Sequence, residues 1–174
     1  MELSKGLPEL DKLLTGLFHG DTLAWRVDSI EDYKFYVQRL SEYLLRNGSH
    51  LVYFRFATHE PLLEKQKGIT IVQIDALKGF EHFIVNIRET ISKIEVRGNY
   101  IFDSMSELPN SCYSDRMVGN FFKLICPYLY ELNAFAYFSF MRYKHSFHAE
   151  QHISETTQIL LDVYSDKNVR YLKP

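Results

Sequence analysis

Apolar residues along the chain fall into short, nearly continuous runs, separated by longer stretches in which they recur every three or four positions. Thr22 to Val27 (TLAWRV), Leu51 to Phe56 (LVYFRF), Ile69 to Ile74 (ITIVQI), Tyr100 to Asp103 and Ala134 to Phe140 (AFAYFSF) have the first pattern, which suits strands buried on both faces of a sheet. After the first run, Tyr33, Tyr36, Val37, Leu40, Tyr43 and Leu44 keep helical spacing, with Ser29 and Asp32 as a capping start and Asn47-Gly48 as a stop. Pro61 predicts the first turn of a short helix, and Phe80 to Ile94 a longer one. Met117 to Leu132 reads as a further helix, which Pro127 should kink or interrupt. In the tail, Thr157 to Tyr164 and Val169 to Leu172 flank Ser165-Asp166-Lys167-Asn168 and predict an antiparallel hairpin. Strands alternating with helices point to an α/β fold: a three-layer sandwich with a mostly parallel central sheet, helices on both faces and a C-terminal antiparallel hairpin. No repeat, low-complexity segment or linker breaks the pattern, so residues 1–174 read as one domain.

Composition narrows the partners. The chain is 46% hydrophobic and 24% charged, enough to bury one proper core, and its 13 Phe and 12 Tyr are spread among charges. Its 20 Lys plus Arg nearly balance 22 Asp plus Glu with no long block of one sign, which argues against nucleic acid as a partner. No apolar run approaches the roughly 20 residues a membrane span needs, and the start, Met1-Glu2-Leu3-Ser4-Lys5, lacks a signal-peptide pattern. Cys112 and Cys126 have no metal or redox spacing and are expected to be free buried thiols, which suits the cytoplasm.

The segment Gly6-Leu7-Pro8-Glu9-Leu10-Asp11-Lys12-Leu13-Leu14-Thr15-Gly16-Leu17, ending in Gly20-Asp21 before the first strand, resembles the opening of RecA-fold ATPases of the KaiC/RadA kind. The run ending in Asp103-Ser104 resembles that family's magnesium-associated strand. This resemblance implies a RecA-like fold and a nucleotide site. A second resemblance is to RecA-like accessory domains of proteins related to phosphoenolpyruvate synthase and pyruvate phosphate dikinase.

The phosphate-binding loop that the resemblance implies is missing. Such a loop needs glycines whose N–H groups surround phosphate, a lysine, and a hydroxyl for Mg²⁺. Here the first strand and its helix are joined by Val27-Asp28-Ser29-Ile30-Glu31-Asp32-Tyr33, without glycine or lysine. Ser29 can cap the helix, while Asp28, Glu31 and Asp32 put negative charge at its positive end. A phosphate 4 Å from one such carboxylate would be repelled by about 4 kcal/mol at an effective dielectric near 20. The family's water-activating glutamate is also absent, since the second strand ends in Arg55-Phe56 and the nearest carboxylate is Glu60, a helix-start charge beside Pro61.

The expected function is therefore a non-catalytic RecA-like domain with a degenerate nucleotide site, acting as a regulatory or structural protein-interaction module, by self-association or with another protein. It needs no cofactor. The alternative is an atypical nucleotide binder, or an accessory part of a phosphoenolpyruvate synthase-like phosphotransferase, in which Asp103, Ser104, Lys34 and Arg142 would hold ATP and Mg²⁺. Arg142 and Lys144 stand where relatives carry basic residues that reach a neighbouring subunit's nucleotide, and otherwise read as solvated charges. His145, His148 and His152, with Glu155, would share one face of a helix and suit a transition metal, but no metalloenzyme signature accompanies them, and no metal site is assigned. No Ser/His/Asp or Cys/His arrangement is legible by motif.

Overall fold

A computed structural model describes residues 10, 12, 14, 18–94, 97–111, 113–167 and 169–174. Among these residues seven strands form one sheet: β1 (Thr22–Val27), β2 (Leu51–Arg55), β3 (Ile69–Gln73), β4 (Asn99–Ser104), β5 (Phe135–Met141), β6 (Ile159–Asp166) and β7 (Val169–Lys173). Their order is β3-β2-β4-β5-β1-β6-β7, with every neighbouring pair parallel except the antiparallel β6 and β7. The α-helices whose residues are described throughout are α1 (Ile30–Arg46), α2 (Phe80–Ser92), α3 (Asp115–Glu131) and α4 (Phe147–Thr156), with 3-10 turns at Ala76–Lys78 and Met105–Ser111.

Connection geometry explains the layers. The β1-α1-β2 crossover runs one way along the sheet, and the crossovers through α2, α3 and α4 run the other way. Right-handed crossovers in opposite directions place their helices on opposite faces. Successive strand residues alternate between those faces, so the sheet feeds two cores. Val52, Phe54, Phe102, Ala136 and Phe138 pack with Phe83, Ile87, Phe121, Ile125 and Ile153 of α2–α4. Leu23, Trp25, Leu51, Tyr53, Ile101 and Tyr137 pack with Tyr33, Val37 and Leu40 of α1, and Leu10 and Leu14 join them. On the first face Phe54, Phe102 and Phe138 stack across three adjacent strands at centroid spacings of 4.7 and 4.4 Å.

The result is a three-layer α/β sandwich closed by an antiparallel pair, as the apolar pattern predicts. One local expectation fails outright, and of the kink or interruption expected at Pro127 the interruption does not occur. No helix follows Pro61; residues 61–68 form bends and a turn. This segment still covers the α1 face, because Leu62 and Leu63 are buried and the Leu62 N–H donates to the Tyr53 hydroxyl at 3.2 Å. Its remaining residues, Glu64 to Lys67, offer no apolar repeat for a helix to bury. Pro127, in turn, does not interrupt α3, which continues to Glu131. Pro127 and Lys123 both lie on the solvent side, so the carbonyl left without an N–H partner can be hydrated, while buried Phe122, Ile125 and Leu129 hold both halves to the sheet. The opening motif lies outside the described residues except for Leu10, Lys12, Leu14 and its closing Gly20-Asp21, as does Cys112. Cys126 is a free buried thiol, and burial pushes its pKa up to about 12.

Candidate functional site at the C-terminal ends of the strands

The connections that leave β5 and β1, neighbours in the sheet, run in opposite directions across it, which makes the gap between their ends a switch point. In open α/β sheets this switch point, outside the strands' C-terminal ends, is where ligands bind. The side chains there form three hydrogen-bonded groups.

The first centres on Asp103, fully buried near the end of β4. One carboxylate oxygen accepts from the Tyr53 hydroxyl. The other accepts from Arg55 at 3.0 Å and from the Phe56 and Ala57 N–H groups at 2.9 Å each. Arg55 also donates to the His59 carbonyl, so the end of β2 wraps the carboxylate. Burial, then the neighbouring Asp103 charge, raises the Tyr53 pKa, keeping its hydroxyl a donor. Three donors on one oxygen and one on the other satisfy this buried carboxylate, and Arg55 balances its charge.

The second group joins β1 and α1 to the hairpin. Ser29 caps α1, accepting from the Asp32 N–H at 3.3 Å, and its hydroxyl donates to Asp32 at 2.8 Å. Asp32 also accepts from Ser165 at 2.9 Å and Arg170 at 2.8 Å. Burial would raise the Asp32 pKa, but these bonds outweigh it and hold the carboxyl below its ordinary value. Alongside, Asp162 is held between two arginines: Arg26, and Arg142 at 2.9 Å. Arg142 further donates to Asp28 at 2.7 Å and to the Val163 carbonyl at 3.0 Å, and its guanidinium lies 4.1 Å from the centre of the Tyr164 ring. Burial opposes the ionised form of Asp162 too, and the two guanidinium groups more than compensate.

Of the residues the sequence singles out, these two groups hold Asp28, Ser29, Asp32, Asp103 and Arg142. Asp103 and Arg142 belong to separate networks that share no hydrogen-bond partner. Lys34 faces a groove of about 360 Å³ with Gln38, Glu42, Pro61 and Glu64, apart from the depression of about 550 Å³ beside the α1 N-terminus, which Ser29, Glu31, Asp32, Ser165, Lys167 and Arg170 line. Ser104 is buried, and its hydroxyl has no hydrogen-bond partner among the described residues. Glu60 and Lys144 are exposed.

The third group is not legible by motif. Ser106, in the 3-10 turn after β4, lies 2.7 Å from His145 Nε2. His145 Nδ1 lies 2.6 Å from Asp115 Oδ1, at the start of α3. His145 thus precedes α4 instead of sharing its face with His148 and His152. Those two do meet, with Nε2 atoms 3.0 Å apart, and Lys123 Nζ stands 3.2 Å from His152. His152 packs close to the α3 backbone at Gly119, where a Cβ would come within 3.1 Å of the ring. Among the described residues no group of three His, Cys, Asp or Glu side chains is arranged to hold a metal ion. Nor is any described helix long and apolar enough to cross a membrane.

No family model matches the chain, and no curated protein matches it in sequence.

Proposed function

We propose that this is a RecA-like domain of the KaiC/RadA kind that does not turn over ATP and acts in the cytoplasm through protein contacts, as a regulatory or structural module. One observation carries the reading: where a phosphate-binding loop would lie, Asp28, Ser29 and Asp32 are engaged by their own helix, the hairpin and Arg142. The family-like opening motif and the position of Asp103, one strand away from β1, support the RecA-like assignment. Asp103, already accepting four hydrogen bonds and paired with Arg55, and Arg142, bound to both Asp28 and Asp162, support the absence of turnover. Protein contact is favoured by Tyr143 and Phe147, 92% and 85% exposed beside this edge of the sheet.

The depression lined by Lys167 and Arg170 favours a second reading, an atypical nucleotide site or an accessory domain of a phosphoenolpyruvate synthase-like phosphotransferase. Its cations face Glu31 and Asp32, which weakens any phosphate site there. Thermal denaturation with millimolar ATP or ADP, with and without Mg²⁺, separates the two. An unchanged midpoint agrees with the first reading. A nucleotide 100-fold above its Kd would add about 2.7 kcal/mol of stability and favour the second.

A further inference from the structure

The hydrogen positions in the third group follow from which atoms can donate. Met141 N–H, a donor only, points at Ser106 Oγ from 2.7 Å, so Oγ accepts there. The Ser106 hydrogen is then free to go to His145 Nε2, 2.7 Å away. Nε2 accepting fixes the ring hydrogen on Nδ1, which donates to Asp115 Oδ1 at 2.6 Å. The other Asp115 oxygen accepts the Ser146 N–H at 2.6 Å, completing a chain from a carboxylate to a hydroxyl. A serine nucleophile has this arrangement before attack: the imidazole takes the hydroxyl proton and the carboxylate holds the tautomer.

Placement supports the same reading. Ser106 and Asp115 lie at the two ends of the connection from β4 to α3, and His145 in the connection from β5 to α4, so two separate connections converge at the C-terminal ends of two adjacent parallel strands. That edge is where α/β folds assemble reactive groups. Access is narrow: Ser106 is 8% exposed and the His145 side chain 0%, while the Asp115 side chain is 32% exposed. So little exposed surface favours a short acyl group over a long one.

We infer that Ser106, His145 and Asp115 form a nucleophile, general base and orienting carboxylate that hydrolyse short-chain carboxylic esters. Ser106 Oγ bonds to the ester carbonyl carbon as its proton passes to His145 Nε2. The bond to the leaving oxygen breaks and that oxygen takes the proton, releasing the alcohol. Water then adds to the acyl-serine carbon, gives a proton to Nε2, and the acid leaves as Oγ regains the proton. The reaction needs only ester and water, and it does not rest on the nucleotide reading.

The test has two arms. The wild-type chain is treated with a fluorophosphonate, and the adduct is mapped by mass spectrometry, so no variant need fold. Hydrolysis of p-nitrophenyl acetate and octanoate is then measured for Ser106→Ala, His145→Gln and the double variant His148→Ala/His152→Ala. The proposal expects an adduct on Ser106, faster turnover of the acetate, losses of about 10²–10⁴-fold in the first two variants, and no change in the third. An adduct absent from Ser106 would overturn it. So would acetate turnover that survives Ser106→Ala and falls with the double variant, which would assign the activity to exposed imidazoles.

Discussion

Two neighbouring edges of the sheet satisfy their polar groups in different ways. At the end of β1, carboxylates and guanidinium groups neutralise one another: Asp28 and Asp162 with Arg142, Asp162 with Arg26, Asp32 with Arg170. At the ends of β4 and β5, the Ser106-His145-Asp115 chain carries one charge at its outer end and a hydroxyl at the other. Both look structural on a contact map. The first has little capacity left for a phosphate, because each of these cations already holds a carboxylate. The second leaves a base beside a hydroxyl. The difference is chemical, and each network should respond to substitution in its own way.

Asp103→Ala should have the largest effect. It leaves Arg55 and two N–H groups unpaired at a fully buried position. Breaking such a buried pair costs about 3–5 kcal/mol, to be read as a lower denaturation midpoint at unchanged slope in urea. A carboxylate poised only for metal would cost far less on removal, and that outcome would contradict a structural role for Asp103. Ser106→Ala comes next. It orphans the Met141 N–H and His145 Nε2, which should cost about 1–3 kcal/mol without changing the β1 edge, as amide exchange at β6 would register.

Acid sharpens the contrast further. Asp32 and Asp162 have native pKa values below their unfolded ones, so their contribution is fully present above about pH 4 and is lost as pH falls through the depressed native values. Asp115 shifts the same way, because its bonds from Ser146 and His145 outweigh the opposing effect of burial. With Asp162→Asn, the loss of stability on acidification should be shallower than in wild type, measured by urea midpoints across the acidic range. The smallest effect belongs to Tyr143→Ser. At 92% exposure it should change stability by no more than about 0.5 kcal/mol, yet weaken any self-association seen by sedimentation.

The layers were legible because the β1, β2 and β5 runs are apolar on both faces and the α1 repeat is regular; such patterns report burial directly. Pro61 misled because its segment buries Leu62 and Leu63 without a helix. Asp103 stood out as a strand-end carboxylate, but what fills it comes from Tyr53, Arg55 and the backbone of β2's exit, which only pairing of β2 with β4 brings near. Ser106 and Asp115 lie 39 and 30 residues from His145, across two connections. Nothing in the local spacing hints at that meeting. The histidine spacing instead pointed to one helical face, and Ser146, capping α4, places His145 before the helix begins.

The proposed function stands or falls on the β1 edge being closed to phosphate. Calorimetric titration of the chain with ATP at millimolar concentration, with and without Mg²⁺, decides the point. No binding heat is expected under either condition. A saturable isotherm that strengthens with Mg²⁺ would contradict this, and would mean that a phosphate site is built from side chains that otherwise pair with one another.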